Sequence, residues 1–324
     1  MAKKNIKVDE QMVENITKQN DEIAAELIAL ISRDGLRWCK EWRDAPVGIS
    51  GSSGKAYQGR NAFITVYAEN MMGSSDPRWY TERSLLKNGY VIDDDAEPVY
   101  IEKWRSVRSG RKVEVTDEDG NVTEEWRTFH YMKLVGGWVV YNAEDVYGLE
   151  PYDGPDYNVS IDDAGQLADE FITTSRCRVY ECSDNDGAYY SPTDDYIHMP
   201  DRKLFTSNDA FLRTLLHEMT HSTKAVLHRK QSTSWGDDDY AFEELVAELG
   251  SAFTAAATGY EIGDEFIAKQ GTEYAEQHAA YLKSWSKRFN DAPAEIFKAA
   301  ALANTACLYL LGRLYGWDEQ EQAA

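Results

Sequence analysis

The sequence predicts an α+β fold in two parts, a mixed α/β first half and a mostly helical second half with a small sheet. Apolar residues recur at helical spacing before residue 32 and almost continuously after residue 207. The segment from Glu97 to Tyr141 carries strand-type patterning. Between the two patterned regions lies Glu150-Pro151-Tyr152-Asp153-Gly154-Pro155, two prolines and a glycine that read as a linker. A chain of 324 residues, 43% hydrophobic and 28% charged, is long enough for two domains, set at 1–150 and 156–324.

Residues 8–32 place Met12, Ile16, Ile23, Leu27, Ile28 and Ile31 at helical spacing. Residues 32–60 are broken by Gly35, Pro46, Gly48, Gly51, Gly54 and Gly59 and read as irregular chain. Short helices are expected over 62–72 and 81–87. Strands follow: Val99, Ile101 and Trp104 lie on one, 113–115 and 126–131 form a hairpin connected through Asp117 to Asn121, and Trp138 to Tyr141 make another. In the second half a helix over 161–174 precedes short strands at 178–181, 188–190 and 196–199, and helices fill most of the remainder.

The first ten residues hold no apolar run of the kind a secretory signal needs. The stretch 299–311 is interrupted by Asn304 and Thr305 and is too short to span a bilayer, so it reads as a buried helix. Cys39, Cys177, Cys182 and Cys307 make neither a disulfide framework nor a C-x-x-C metal knuckle. A cytoplasmic protein with no membrane partner is expected. The net charge of −22 repels polyanions at long range. Most of it sits late: residues 1–150 hold 20 Lys and Arg against 26 Asp and Glu, residues 151–324 hold 14 against 30.

Chemistry concentrates in His217-Glu218-Met219-Thr220-His221. On a helix, residues four apart share a face, so His217 and His221 can aim two imidazoles at one cation while Glu218 flanks the open coordination position. Water on such a cation titrates near neutrality and a flanking carboxylate can take its proton, which is the usual machinery of amide hydrolysis. Phe211, Leu212, Leu215 and Leu216 make the preceding turns apolar, and Ser207 is placed to cap the helix. Zn2+ is the expected ion, with another divalent metal as the alternative. For a third ligand, His228 lies seven residues past His221, about 10 Å along a continuing helix, and cannot share its metal. Glu244 and Glu248 lie one turn apart on the next helix, over 240–250. Glu244 can ligate while Glu248 accepts a hydrogen bond from a ligand imidazole; Glu243 competes as ligand, and faces another direction if Glu244 serves. His198, on an expected edge strand before the motif helix, reads as structural. Tyr240 and Tyr281 are candidate oxyanion stabilisers.

Cations and aromatic rings interleave early in the chain: Arg37, Lys40, Lys55 and Arg60 with Trp38, Trp42 and Tyr57. A second cluster, Lys103, Arg105, Arg108, Arg111 and Lys112, flanks Trp104. Single-stranded nucleic acid binds where local cations meet exposed rings on which bases stack, at about 1–3 kcal/mol per base. The same composition suits a packed core with solvated cations, and the residues alone leave both readings open.

Eight segments together resemble a known family. They are Gly54-Lys55-Ala56-Tyr57-Gln58-Gly59-Arg60-Asn61, Pro77-Arg78-Trp79-Tyr80-Thr81, Trp138-Val139-Val140-Tyr141-Asn142, Ala188-Tyr189-Tyr190-Ser191-Pro192, Asp195-Tyr196-Ile197-His198-Met199-Pro200, the motif helix, Glu243-Glu244-Leu245-Val246-Ala247-Glu248-Leu249-Gly250, and Gln277-His278-Ala279-Ala280-Tyr281-Leu282-Lys283-Ser284-Trp285. Over most of its length the chain is similar to the ArdC-type antirestriction proteins of plasmids and phages. The resemblance implies an N-terminal domain that binds single-stranded DNA, for which Arg37, Trp38, Lys40, Trp42, Lys55, Tyr57, Arg60, Lys103, Trp104 and Arg105 are the candidate contacts. It implies a C-terminal zincin-like metallopeptidase domain with Glu218 as general base, and it favours Glu244 over Glu243 as third ligand. The implied role is protection of incoming mobile-element DNA from host restriction, with host restriction or defence proteins as candidate targets. The chain departs from the family at Ile92-Asp93-Asp94-Asp95-Ala96-Glu97-Pro98, where a basic turn is usual, and at Lys224, where glycine is common. Two other readings stay open: an intracellular zinc metallopeptidase with no nucleic-acid role, and a DNA-binding protein whose metal site is inert.

Overall fold

The computed structural model describes residues 7–34, 48–116, 122–153, 163–183, 187–229, 238–258 and 293–317. Within them the architecture is α+β. Helix α1 (Glu10–Asp34) buries Ile16, Ile23, Ala24 and Leu27 on one side, as its spacing dictates. Strands β1 (Ile49–Ser50) and β2 (Lys55–Ala56) lead into α2 (Gly59–Met72), whose residues from Ala62 to Tyr67 are all buried, the pattern of a helix enclosed on every side. Then come β3 (Arg78–Thr81), α3 (Glu82–Asn88), β4 (Val91–Ile92), β5 (Val99–Thr116), β6 (Val122–Asn142) and β7 (Val146–Tyr147). The larger sheet runs β2-β1-β3-β6-β5, and β4 pairs with β7.

The strands expected separately between Glu97 and Tyr141 form one antiparallel ribbon. β5 and β6 pair from Val99↔Val140 to Thr116↔Val122, with a single irregularity at Lys103/Trp104. Beyond that bulge the ribbon leaves the core and most of its side chains are exposed. The hairpin expected over 113–115 and 126–131 is the far end of this ribbon, where cross-strand contacts such as Lys112 with Glu124 and Arg111 over the Phe129 ring add to the backbone ladder. The hairpin connection at 117–121 lies outside the described residues, as do 154–155 of the expected linker and the whole of 277–285.

In the second half, α4 (Ala164–Thr174) is capped by Asp163, whose side chain accepts from Gln166 N at 2.8 Å. Strands β8 (Arg178–Cys182), β9 (Tyr189–Ser191) and β10 (Tyr196–Pro200) form a sheet in the order β8-β10-β9. Helices α5 (Asn208–Val226), α6 (Asp238–Ala257) and α7 (Pro293–Tyr315) complete the described chain. By length and composition α7 could cross a bilayer. It is instead a core helix, with Ile296, Phe297, Ala299, Ala300, Ala303, Cys307 and Leu311 buried.

One hydrophobic cluster joins α1, α2, β3, β5 and β6 to α6 and α7, and within it Phe63 meets Phe297 edge-on at 5.3 Å. A second cluster joins α4, β10 and α5 and is closed by Ala255 of α6 and Leu310 of α7. The two halves therefore share an interior through the last two described helices.

A buried polar knot ties α2 to β3. Trp79 Nε1 donates to Glu69 Oε1, and Glu69 Oε2 is buried with no hydrogen-bond partner. Burial raises the Glu69 pKa well above its ordinary value; the bond from Trp79 opposes this and nearby Asp76 adds to it. An unfolded chain releases this proton near pH 4.5 and the folded one holds it to higher pH. The stability it contributes is therefore complete below about pH 4.5 and is lost as pH rises towards the folded value. Glu69→Gln keeps the acceptor for Trp79 and removes the charge. The variant is expected to match wild type in thermal melting at pH 4 and to exceed it at pH 8, by about 2–4 °C for each 1 kcal/mol recovered. Parallel pH dependence in the two proteins would contradict this.

Candidate metal centre

Two helices build the site. Ser207 caps α5 by accepting from Ala210 N at 3.2 Å, and Phe211, Leu212, Leu215, Leu216 and Met219 bury its inner face. This fixes the rotation of α5, so that His217 and His221 emerge one turn apart towards α6. The helices approach closely because α6 presents Gly250 to Thr220; a Cβ at Gly250 would lie 2.6 Å from Thr220 Cγ2.

The approach brings three side chains together. His217 Nε2 and His221 Nε2 are 3.1 Å apart, and the Glu244 carboxylate lies 3.6 Å from the first and 3.5 Å from the second. One ligand atom from each falls within a single cluster. Three donors about 2.0–2.2 Å from one tetrahedral ion lie about 3.3–3.6 Å from each other, the range in which the two imidazoles meet the two oxygens of Glu244.

Behind each imidazole stands a carboxylate, and behind each carboxylate an arginine. His217 Nδ1 lies 3.4 Å from Glu248 Oε1, and Arg213 Nη2 donates to Glu248 Oε2 at 3.3 Å. His221 Nδ1 lies 3.4 Å from Glu243 Oε1, and Arg229 grips Glu243 with Nη2 at 2.8 Å and Nε at 3.2 Å. Glu243 does not face away, as expected from the sequence. It hydrogen-bonds His221 Nδ1, whereas Glu248 lies close to His217 Nδ1 without a formed hydrogen bond. Arg229, itself buried, also donates to Thr223 Oγ1 at 2.7 Å and to Thr220 O at 2.9 Å, which ties the chain after α5 back onto that helix.

Charge explains why the cluster needs a cation. Glu218, Glu243, Glu244 and Glu248 supply four negative charges, and Arg213 and Arg229 supply two positive ones. Protons can make up the difference. Burial disfavours protonation of His217 and His221, but the facing carboxylates outweigh it and raise both, His221 to about 10. Burial likewise pushes Glu243 and Glu244 upwards, and their partners more than reverse it, holding Glu243 at about 2 and Glu244 well below the carboxylate range. A divalent cation carries the same two charges and leaves the imidazoles neutral, as ligation requires. Glu218 is buried next to the pair, near enough that its charge favours protonation of both imidazoles.

Other candidates fall elsewhere. Helix α5 ends at Val226, and His228 follows with a φ of 51° and an exposed side chain, apart from the cluster. β10 is the inner strand of its sheet, flanked on both sides, so the expected edge position belongs to β9, which packs beside α5. His198 on β10 is buried, stacked on Tyr189 at 4.9 Å, with Nδ1 3.2 Å from Gly187 O. Tyr240 lies on α6 and Tyr281 outside the described residues.

Among the candidate DNA contacts, Arg37, Trp38, Lys40 and Trp42 also lie outside the described residues. Arg60 is committed internally, bound to Glu102 through Nε at 2.7 Å and Nη2 at 2.9 Å and set over the Phe297 ring at 4.3 Å. Tyr57 packs against the core, and burial pushes its pKa up to about 12 against the lowering effect of a bond with Ser50. Lys55, Trp104 and Arg105 are exposed, and Lys103 lies 5.0 Å over the Trp138 ring. Arg213, Arg229, Phe129 and Tyr131 escaped the reading of the sequence.

Two expectations follow from this geometry. Replacing Arg229 with Met frees Glu243 and loosens His221, so affinity for Mn2+ or Zn2+, measured against a chelating dye, should fall roughly 10- to 100-fold; unchanged affinity would show that the arginine acts on folding alone. His221, raised to about 10, holds a proton at neutral pH, and His217 is shifted in the same direction, so metal and protons compete and affinity should rise with pH. Calorimetry at pH 7 in buffers of different ionisation enthalpy should detect release of at least about one proton per ion bound.

Comparison with known proteins places these features in a family. Residues 17–139 match the N-terminal domain of the anti-restriction factor ArdC, and residues 166–302 match a zincin-like metallopeptidase family. The metal-free crystal structure of the antirestriction protein ArdC from plasmid R388 is 30% identical, with a TM-score of 0.56 over 92% of this chain and 98% of that one. Its Mn(II)-bound form gives 28% and 0.58 over 92% and 99%. Two Escherichia coli proteins named DNA primase TraC are each 29% identical over 87% and 89% of the chain, which spans only 26% and 19% of their lengths. A Sinorhizobium fredii protein without an assigned function is 25% identical over 87% of this chain and 88% of its own. The chain belongs to the ArdC-type antirestriction family, with an ArdC N-terminal domain followed by a zincin-like domain.

Proposed function

We propose that this chain protects incoming mobile-element DNA from host restriction, with residues 1–150 binding single-stranded DNA and residues 156–324 working as a zinc-dependent metallopeptidase in the host cytoplasm. The observation that carries the enzymatic half is the cluster of His217, His221 and Glu244, flanked by Glu218 and faced, among the described residues, by more carboxylates than arginines. Those three residues would hold the ion, with Glu243 and Glu248 orienting the imidazoles. Zinc fits the nitrogen-rich donor set, and the Mn(II)-bound R388 protein makes manganese the alternative. When bound, such an ion polarises a carbonyl and makes water acidic. Glu218 accepts the proton of the attacking water and returns it to the departing amine. Host restriction or defence proteins are the substrates this reading offers.

Family membership supports the DNA-binding half, as does the exposed ribbon bearing Lys103, Trp104 and Arg105. Recurrence of the sequence within proteins named DNA primases suits a partner that is DNA. A catalytically inert metal site is the second reading, favoured by the Arg229–Glu243–His221 chain that fixes one imidazole; the presence of Glu218 speaks against it.

The deciding experiment transfers unmodified DNA into a restricting host that carries wild type or Glu218→Gln. The variant should retain its metal and lose peptide cleavage by about 10²- to 10⁴-fold, the usual contribution of a general base, and its protection should fall accordingly. Full protection by the variant would exclude proteolysis and leave DNA shielding as the mechanism.

A further inference from the structure

Beyond the bulge, the register of the β5–β6 ribbon sorts its side chains onto two faces of different character. One carries the cross-strand pairs Arg105↔Lys133, Val107↔Tyr131, Ser109↔Phe129, Arg111↔Arg127 and Val113↔Glu125. It holds four cations and one carboxylate, Glu125, which lies 3.7 Å from Arg127 and leaves three cations in excess, in a chain whose net charge is −22. The opposite face carries Arg108, Lys112 and His130 against Glu114 and Glu124, with Lys112 and Glu124 already paired.

The first face bears a standing cost. Like charges directly opposite one another in a ladder destabilise it, and two such pairs, Arg105↔Lys133 and Arg111↔Arg127, lie six residues apart on the same side, about 20 Å. Between them stand Tyr131 and Phe129, 45% and 42% exposed, with ring centroids 6.4 Å apart. Arg111 lies over the Phe129 ring at 5.7 Å. A polyanion with flat apolar units relieves both conditions: phosphates meet the cation pairs and bases cover the rings. Only an unpaired strand can offer its base faces.

We propose that this face, with Arg105, Arg111, Arg127 and Lys133 around Phe129 and Tyr131, is the contact surface for single-stranded DNA. The assignment rests on the DNA-binding reading above and moves its centre from the turn-rich region around residue 40 to the ribbon. The other face, which carries Trp126 and Met132, is not part of the surface.

The test uses the full chain and fluorescence anisotropy with labelled oligo(dT) of about 20 nucleotides at low salt. Phe129→Ala with Tyr131→Ala should weaken binding at least about tenfold, the loss expected from one or two stacked bases. The matched control, Trp126→Ala with Met132→Ala, truncates exposed side chains of the same ribbon and should stay within about twofold. Arg111→Gln should lower the slope of log affinity against log salt by about 0.7. Equal losses in the two double variants, loss in the control alone, or tighter binding to a duplex of the same length would each overturn the assignment while leaving DNA binding in place. Failure of wild type to bind any oligonucleotide would remove the DNA-binding reading and the surface with it.

Discussion

Four carboxylates can be packed between α5 and α6 only if positive charge is packed with them, and the second half is arranged around meeting that condition. Arg213 and Arg229 neutralise half of the charge permanently. The rest is met by something exchangeable, protons on His217 and His221 or one divalent ion. Both arginines bind carboxylates already committed to an imidazole, so the permanent charges also fix the rotation of each ring. A small residue at Gly250 brings the second helix near enough for Glu244 to arrive, among the described residues, as the one carboxylate facing both ε nitrogens. Packing, electrostatics and ligand geometry are thus one problem with one solution.

The first half faces the opposite difficulty, because an acidic molecule repels a polyanion at a distance and has to attract it locally. Arg60 illustrates that a cation in the sequence is not a cation at the surface. It is spent on Glu102, whose carboxylate is buried and also accepts from Trp104 Nε1 at 2.6 Å and from Asn20 Nδ2 at 2.7 Å. That network anchors the base of the ribbon to α1 and α2, so that the exposed cations further along project from a fixed platform.

Much of this was legible in the residues. The i, i+4 spacing of His217 and His221, the Ser207 cap and the pair Glu244 and Glu248 follow from helical geometry, which is local. Arg213 was missed although it precedes His217 by one turn, because an arginine on a helix has many commoner explanations. Arg229 and the direction of Glu243 were not, because they depend on how the chain turns after Val226, where His228 adopts a left-handed φ that no pattern announces. The hairpin over 113–115 and 126–131 was legible as well, but the make-up of its two faces was not. Its register is set by cross-strand pairing at long range, so Phe129 and Tyr131 join Arg105 and Arg111 on one face only once β5 and β6 are aligned.

Helix α7 has a consequence for how such a protein can be passed on. It closes the cluster formed by α1 and α2 and also contributes Leu310 to the cluster behind α5. A breakpoint in the turn-rich stretch after residue 150 would leave each portion with an uncovered apolar flank, prone to aggregate before it could be selected for anything. Recombination therefore has to move both portions as a single cassette. The similarity over 294 residues, spanning both portions, to a far longer protein named DNA primase has the form such a transfer would leave.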